Sequence, residues 1–143
     1  MFAYAVTIFL VCLSLIFLPM PEDLNYNTTD LKIVAANFVH YQGATAQFFS
    51  DNPGTVGEIP QASMELMPGY NPIGTWQNEV SGGILYSYVL NGQRLIPSVL
   101  KQMKNSKRVG LNQAGRLVSP LYGDLGLVLP AFIPEGSLVT VFQ

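Results

Sequence analysis

The sequence predicts an α+β fold, in which an N-terminal transmembrane helix precedes a long amphipathic helix that packs on an antiparallel β-sheet. Three observations support this prediction. The first 21 residues carry no charged side chain. Apolar residues then recur at three- and four-residue spacing between residues 29 and 50. All thirteen glycines lie at Gly43 or later, and eight of the ten prolines at Pro53 or later, as is typical of short strands joined by turns.

The uncharged segment 1–21 is predicted to be an uncleaved membrane anchor, since about 20 apolar residues cross a bilayer. A cleaved signal peptide needs a basic start, a shorter apolar core and a small-x-small cleavage site. Here no Lys or Arg precedes the apolar run, which ends in Leu18-Pro19-Met20-Pro21. Cys12 follows Val11 instead of the small residue of a lipid-attachment site. Ala5 stands where pilins usually carry a glutamate.

The anchor divides the chain into residues 1–21, a linker at residues 22–28 and a domain at residues 29–143. Glu22, Asp23 and Asp30 precede the first basic residue, Lys32, so we expect a short tail inside and the domain outside. About 115 residues are enough for one domain with its own core. The only cysteine lies in the anchor, so this domain has no disulfide to stabilise it.

A helix is predicted from Thr29 to Ser50. Asn27-Thr28-Thr29-Asp30 supplies its N-cap, and Asp51-Asn52-Pro53-Gly54 ends it with turn-forming residues. One face is apolar and is formed by Leu31, Val34, Ala35, Phe38, Tyr41, Thr45, Phe48 and Phe49. The opposite face, with Asn37, His40, Ala44 and Gln47, is only mildly polar. We therefore expect it to meet either the sheet or a partner.

The rest of the chain predicts short elements. Residues 55–74 are loop-like, and Ser81-Gly82-Gly83 predicts a hairpin turn between two strands. A short helix is expected from Arg94 to Lys104. The predicted strands are residues 75–80, 84–90, 109–111, 116–118 and 137–142, the third and fourth forming a pair and the last showing alternation.

Catalysis has little support in the sequence. The single histidine, His40, lies on the long helix, and with Cys12 in the anchor the usual zinc ligands cannot be assembled. Neither a nucleophile elbow nor a phosphate-binding loop is present. The net charge of −2 argues against nucleic acid as a partner. We expect no enzyme activity, no cofactor and no metal.

Surfaces are therefore the candidate functional features. Lys101, Lys104, Lys107 and Arg108 fit either an anionic partner such as lipid headgroups or an ordinary solvated face, and we prefer the second interpretation. The aromatic residues around the hairpin suit an interface, although sheet packing explains them equally well. The predicted partner surface combines both groups: Asn37, His40, Ala44, Gln47, Trp76, Tyr86 and Tyr88.

Several segments follow the anchor in a characteristic order: Ala35-Ala36-Asn37-Phe38-Val39-His40-Tyr41, Asp51-Asn52-Pro53-Gly54, Gly57-Glu58-Ile59-Pro60, Trp76, Ile84-Leu85-Tyr86-Ser87-Tyr88, Val109-Gly110-Leu111 and Ile133-Pro134-Glu135-Gly136-Ser137-Leu138-Val139. In their order and spacing they resemble the PilM family of small inner-membrane proteins. The resemblance covers nearly the whole chain.

This resemblance implies a role in type IVb pilus biogenesis, as in the thin pili of conjugative plasmids. It implies a single-pass protein of the bacterial inner membrane with its domain in the periplasm. Expected partners are other pilus-assembly proteins or pilins, and a second copy of the chain in an oligomer. The helix with its Asn-Pro-Gly exit also looks like that of type IVb pilins, so a minor pilin is the second hypothesis. The third, a periplasmic enzyme, requires Glu58, Glu65 or Asp124 to cluster in a pocket.

Overall fold

The computed structural model describes residues 28–143. The predicted anchor at residues 1–21 and linker residues 22–27 lie outside that range. Within it, no helix combines the length and the apolar character needed to cross a bilayer.

The described chain is an α+β fold, as predicted. It contains two α-helices, two short 3-10 helices at Gln61–Ser63 and Gly92–Arg94, and six strands. The α-helices are α1 (Thr28–Asp51) and α2 (Ile96–Gln102). The strands are β1 (Gln77–Ser81), β2 (Ile84–Val89), β3 (Val109–Gln113), β4 (Arg116–Ser119), β5 (Gly123–Val128) and β6 (Leu138–Phe142).

The six strands form one antiparallel sheet in the order β1-β2-β6-β3-β4-β5. Successive side chains of β2 point to opposite faces, as pleated strands require. Leu85 and Val89 join clusters that contain α1 residues, whereas Tyr86 and Tyr88 join a cluster with Leu129 and other residues of the segment before β6. The sheet is thus covered by helices on one face and by a loop on the other.

Helix α1 uses its predicted apolar face to cover the sheet. Val34, Ala35 and Phe38 are buried against the end of β2 and the start of β6. Tyr41 and Ala46 are buried against the opposite end of the sheet, where β2 begins and β6 ends. Helix α1 therefore runs antiparallel to β2, and its C-terminal half lies beside the start of β3.

The structure differs from the prediction at two elements. The predicted helix from Arg94 to Lys104 is a 3-10 turn followed by α2, which ends at Gln102 because Lys104 and Asn105 have left-handed φ values of 52° and 56°. Strand β5 is absent from the strands that the sequence predicts. It contains two glycines with positive φ, Gly123 and Gly126, which weaken the β-propensity signal. Pairing with β4 makes it a strand.

Candidate partner groove

The seven residues predicted to form one partner surface are dispersed in the structure. Two of them hold a loop in place, two are buried on the far face of the sheet and three line a groove along α1. The loop is residues 55–76, named here the strap, which runs from the end of α1 to the start of β1.

Asn37 and Trp76 fasten the end of the strap to α1. The Oδ1 atom of Asn37 accepts hydrogen bonds from Trp76 Nε1 at 2.7 Å, from the Tyr70 hydroxyl at 3.0 Å and from the backbone N–H of Ile73 at 3.1 Å. Its Nδ2 donates to the Asn71 carbonyl at 2.9 Å. The Trp76 ring also packs edge-on against Phe38, with centroids 5.4 Å apart. Both polar side-chain atoms of Asn37 are therefore engaged in hydrogen bonds within the domain.

Tyr41, one turn further along α1, takes part in a second attachment of the strap. Buried Asn78 on β1 exchanges hydrogen bonds with the backbone of Ile59, and its Nδ2 also donates to the Tyr41 hydroxyl at 2.7 Å. Burial raises the pKa of Tyr41, and the hydrogen bond from Asn78 opposes that effect. The strap is thus fixed near both of its ends.

The side chains of Ala44, Tyr86 and Tyr88 are buried, and that of Ala44 also lines the groove along α1. Ala44 belongs to the cluster that contains Met64 of the strap. The two tyrosines lie on the loop-covered face of the sheet, within 6.4 Å of the Phe132 ring by centroid distance. Burial raises the pKa of both hydroxyl groups. Period-two alternation places them there, because Ser87 and Leu85 take the helix face.

His40 and Gln47 line a groove on the outer side of α1. His40 is half-buried, and its ring lies 5.9 Å from that of Tyr70. Gln47 is exposed and donates to Asp51 Oδ2 at 2.8 Å. This part of the groove has a volume of about 460 Å³ and extends from Ala36 to Gln47, with Glu65 of the strap and Gln102 of α2 at its rims. Whether it contacts a partner stays a prediction.

A second part of the same groove, which shares Gly43 and Gln102 with the first, has a volume of about 360 Å³. Helix α1 supplies one wall, and the α2–β3 turn at residues 103–108 supplies the other. We call this part the cationic half, because Lys104 and Arg108 line it. Its remaining lining residues are Gln42, Ala46, Met103, Ser106, Val141 and Phe142.

The α2–β3 turn is held in one conformation. The backbone N–H of Asn105 bonds to the Leu100 carbonyl at 2.7 Å, which satisfies the end of α2 and explains the left-handed residues that follow it. The Tyr122 hydroxyl donates to the Asn105 carbonyl at 2.9 Å. The Arg108 guanidinium lies 5.5 Å from the centroid of the Phe142 ring. The cations of this turn are thus placed by packing as well as by sequence.

Sequence reasoning missed Gly43 and underestimated Lys104 and Arg108 as groove residues. The sequence did contain an indication that Gly43 is unusual: it is the only glycine within α1, where glycine is about 1 kcal/mol less favourable than alanine. The basic run was visible, but its position across from α1 depends on the tertiary fold. Within residues 28–143, no group of three or more His, Cys, Asp or Glu side chains is placed to hold a metal ion.

Comparison with known proteins identifies the family. The family model PilM matches residues 8–141. A crystal structure of a PilM protein from Escherichia coli B7A is similar with a TM-score of 0.64 and 19% identity, covering 86% of this chain and 100% of that one. A PilM protein from Pseudomonas aeruginosa 2192 gives a TM-score of 0.44 and 21% identity over 79% and 96% of the chains. None of the curated proteins matches the chain.

The Escherichia coli likeness shows a shared α+β fold, and the family match extends over nearly the whole sequence. The residues that prompted the PilM resemblance lie on α1, the strap, β2, β3 and the segment before β6. This chain belongs to the PilM family.

Proposed function

We propose that this protein is an accessory protein of type IV pilus biogenesis, anchored in the bacterial inner membrane, whose periplasmic domain acts through contacts with other assembly proteins. The observation that carries the proposal is the PilM family match over residues 8–141. The name of that family associates its members with pili. Membrane anchoring rests on the uncharged segment 1–21.

A tether gives this role a physical basis. An anchored domain is confined to the membrane, so its effective concentration for neighbouring membrane-bound subunits rises without any additional contact. Helix α1 begins at Thr28, after the linker that follows the predicted anchor, and carries the groove on its outer side. The proposed role needs no chemical step, because assembly factors act by holding other subunits in position.

The test is complementation of a deletion in the bacterium that encodes this protein. We expect pili to be lost on deletion and restored by the full chain. A chain in which a cleaved signal peptide replaces residues 1–21 exports the same domain without a tether, and we expect it to restore few pili. A matched control replaces residues 1–21 with an unrelated single-pass anchor and should restore normal pili. Unchanged piliation in the deletion strain contradicts the proposed function.

A second candidate is a minor pilin built into the fibre. The feature that favours it is α1, a 24-residue helix laid on an antiparallel sheet near the start of the chain. Sheared fibres separate the two candidates: an accessory protein stays in the membrane fraction, whereas a minor pilin is recovered with the fibres. Intact mass adds a second criterion, because a processed pilin loses its leader.

A further inference from the structure

We propose that the cationic half of the groove binds an acidic segment of a partner protein, whose backbone approaches α1 at Gly43. The inference rests on the proposed function, for which it names the contact surface and the chemistry of the partner. It is carried by three features: a glycine that the fold does not require, two cations that form no ion pair with a described carboxylate, and an apolar floor.

Gly43 has no structural reason to be glycine. A Cβ atom built at this position meets no atom within 4 Å, and the backbone there has ordinary helical φ. Glycine in an exposed helix interior lowers stability by about 1 kcal/mol relative to alanine. One use of a glycine without a Cβ is to let another backbone come close to the helix. The open position lies where the two parts of the groove meet.

Lys104 and Arg108 give this half of the groove its charge. Both side chains are exposed, and neither forms an ion pair with a carboxylate of residues 28–143. Among the described residues, no acidic side chain lines the cationic half, whereas Glu65 lines the other part. The Phe142 ring below Arg108 limits the positions of the guanidinium, so a carboxylate bound there meets a partly ordered donor. Charge complementarity therefore selects an acidic ligand.

The floor of the cationic half is apolar. The side chains of Ala46, Met103 and Phe142 contribute to it. A segment that combines carboxylates with a small apolar side chain fits both the rim and the floor, and burial of that side chain stabilises the complex. Free phosphate or a single carboxylate leaves the floor uncovered.

The position of the cationic half favours a protein over a membrane surface. Ala46 lies eighteen residues after Thr28, about 27 Å along α1 from the end to which residues 1–27 attach. The anchor predicted at residues 1–21 places lipid headgroups near that end. At that distance from the predicted headgroups, a protein segment reaches the cationic half more readily than a lipid headgroup does.

The test uses the full chain in the cells that encode it, with a photoreactive amino acid in place of Gln102, an exposed residue at the rim of both parts of the groove. Crosslinked peptides are identified by mass spectrometry. We expect a protein segment with at least two carboxylates close together. The double variant Lys104→Glu/Arg108→Glu should reduce the adduct about tenfold, since loss of two charge contacts with reversal of sign exceeds about 1.4 kcal/mol.

The matched control is Lys101→Glu/Lys107→Glu, which changes the net charge equally at two exposed residues that do not line the groove. We expect an unchanged adduct. Gly43→Phe, which fills the groove, should remove the adduct, whereas Trp76 emission should show that each variant is folded. Equal loss in both double variants overturns the proposal. So does an adduct with lipid, with a second copy of this chain or with a segment without carboxylates, and so does the absence of any adduct.

Piliation of the same strains separates the two proposals. If the acidic adduct forms as expected and pili assemble normally without this protein, the groove assignment stands and the proposed function fails. If pili depend on the protein but the adduct is absent or not acidic, the proposed function stands and the groove assignment fails.

Discussion

Asn37 and Gly43 lie less than two turns apart on α1 and have opposite relations to the rest of the molecule. Asn37 is a polar residue of the kind expected at a free surface, yet its side chain makes four hydrogen bonds with the strap. Gly43 has no side chain and contacts no other element there, because the space beside its Cα atom is open. A polar side chain on a helix is thus a poor indicator of a contact surface, because neighbouring loops need anchoring points too.

The largest effect on stability is expected for Asn37→Ala, which removes the Oδ1 atom that accepts hydrogen bonds from the strap. Three donors lose their common partner, and we expect the free energy of unfolding to fall by about 2–4 kcal/mol. Urea denaturation of the full chain, followed by the emission of Trp76, measures this loss. The control Asn37→Asp keeps an acceptor and should lose less than half as much. A loss below about 0.5 kcal/mol for Asn37→Ala means that the strap is held elsewhere.

Tyr41→Phe tests the second attachment of the strap. We expect a loss of about 1 kcal/mol, the usual value for one hydrogen bond, because Asn78 keeps its bonds to Ile59. The pKa of Tyr41 is raised in the folded protein. The stability that this residue contributes is therefore fully present below the ordinary tyrosine pKa of about 10, and it is lost as pH rises through the folded pKa. Urea midpoints between pH 8 and pH 11 should therefore decline less steeply for Tyr41→Phe. Parallel declines contradict this assignment.

Gly43→Ala should stabilise the protein by about 0.5–1 kcal/mol, through helix propensity and a less flexible unfolded chain. The contrasting variant is Gly74→Ala, because a Cβ there lies 2.6 Å from the Trp76 ring and must displace it. We expect that variant to be destabilised and its Trp76 emission to change. Thermal unfolding of the two variants side by side compares an open glycine with a packed one. Destabilisation by Gly43→Ala contradicts the open groove.

The smallest effect is expected for Gln47→Ala on the groove side. Its hydrogen bond to Asp51 is exposed, and such contacts change stability by less than about 0.5 kcal/mol. The same urea measurement applies. A loss as large as that of Asn37→Ala removes the distinction between the two sides of α1.

Sequence patterns predicted most of the fold. Helix α1, the β1–β2 hairpin, the β3–β4 pair and β6 follow from apolar periodicity, alternation and glycine turns, and the structure confirms them within a few residues. Strand β5 could not be predicted, because Gly123 and Gly126 give no strand signal and only pairing with β4 orders it. Of the predicted surface, Asn37 and Trp76 anchor the strap, and Ala44, Tyr86 and Tyr88 are buried. Local spacing of residues could not show this, because it depends on packing between distant parts of the chain.

Local periodicity and the order of elements are enough to indicate the PilM family, the α+β class and the apolar face of α1. Which residues stay accessible depends instead on the tertiary structure. Whether Asn37 is free depends on Tyr70 and Trp76, more than thirty residues away. Whether Lys104 and Arg108 are an ordinary solvated face or one wall of a groove depends on α2 packing beside α1. The accessibility of a side chain depends on contacts with residues that are distant in the sequence but close in space, and local sequence patterns do not show those contacts.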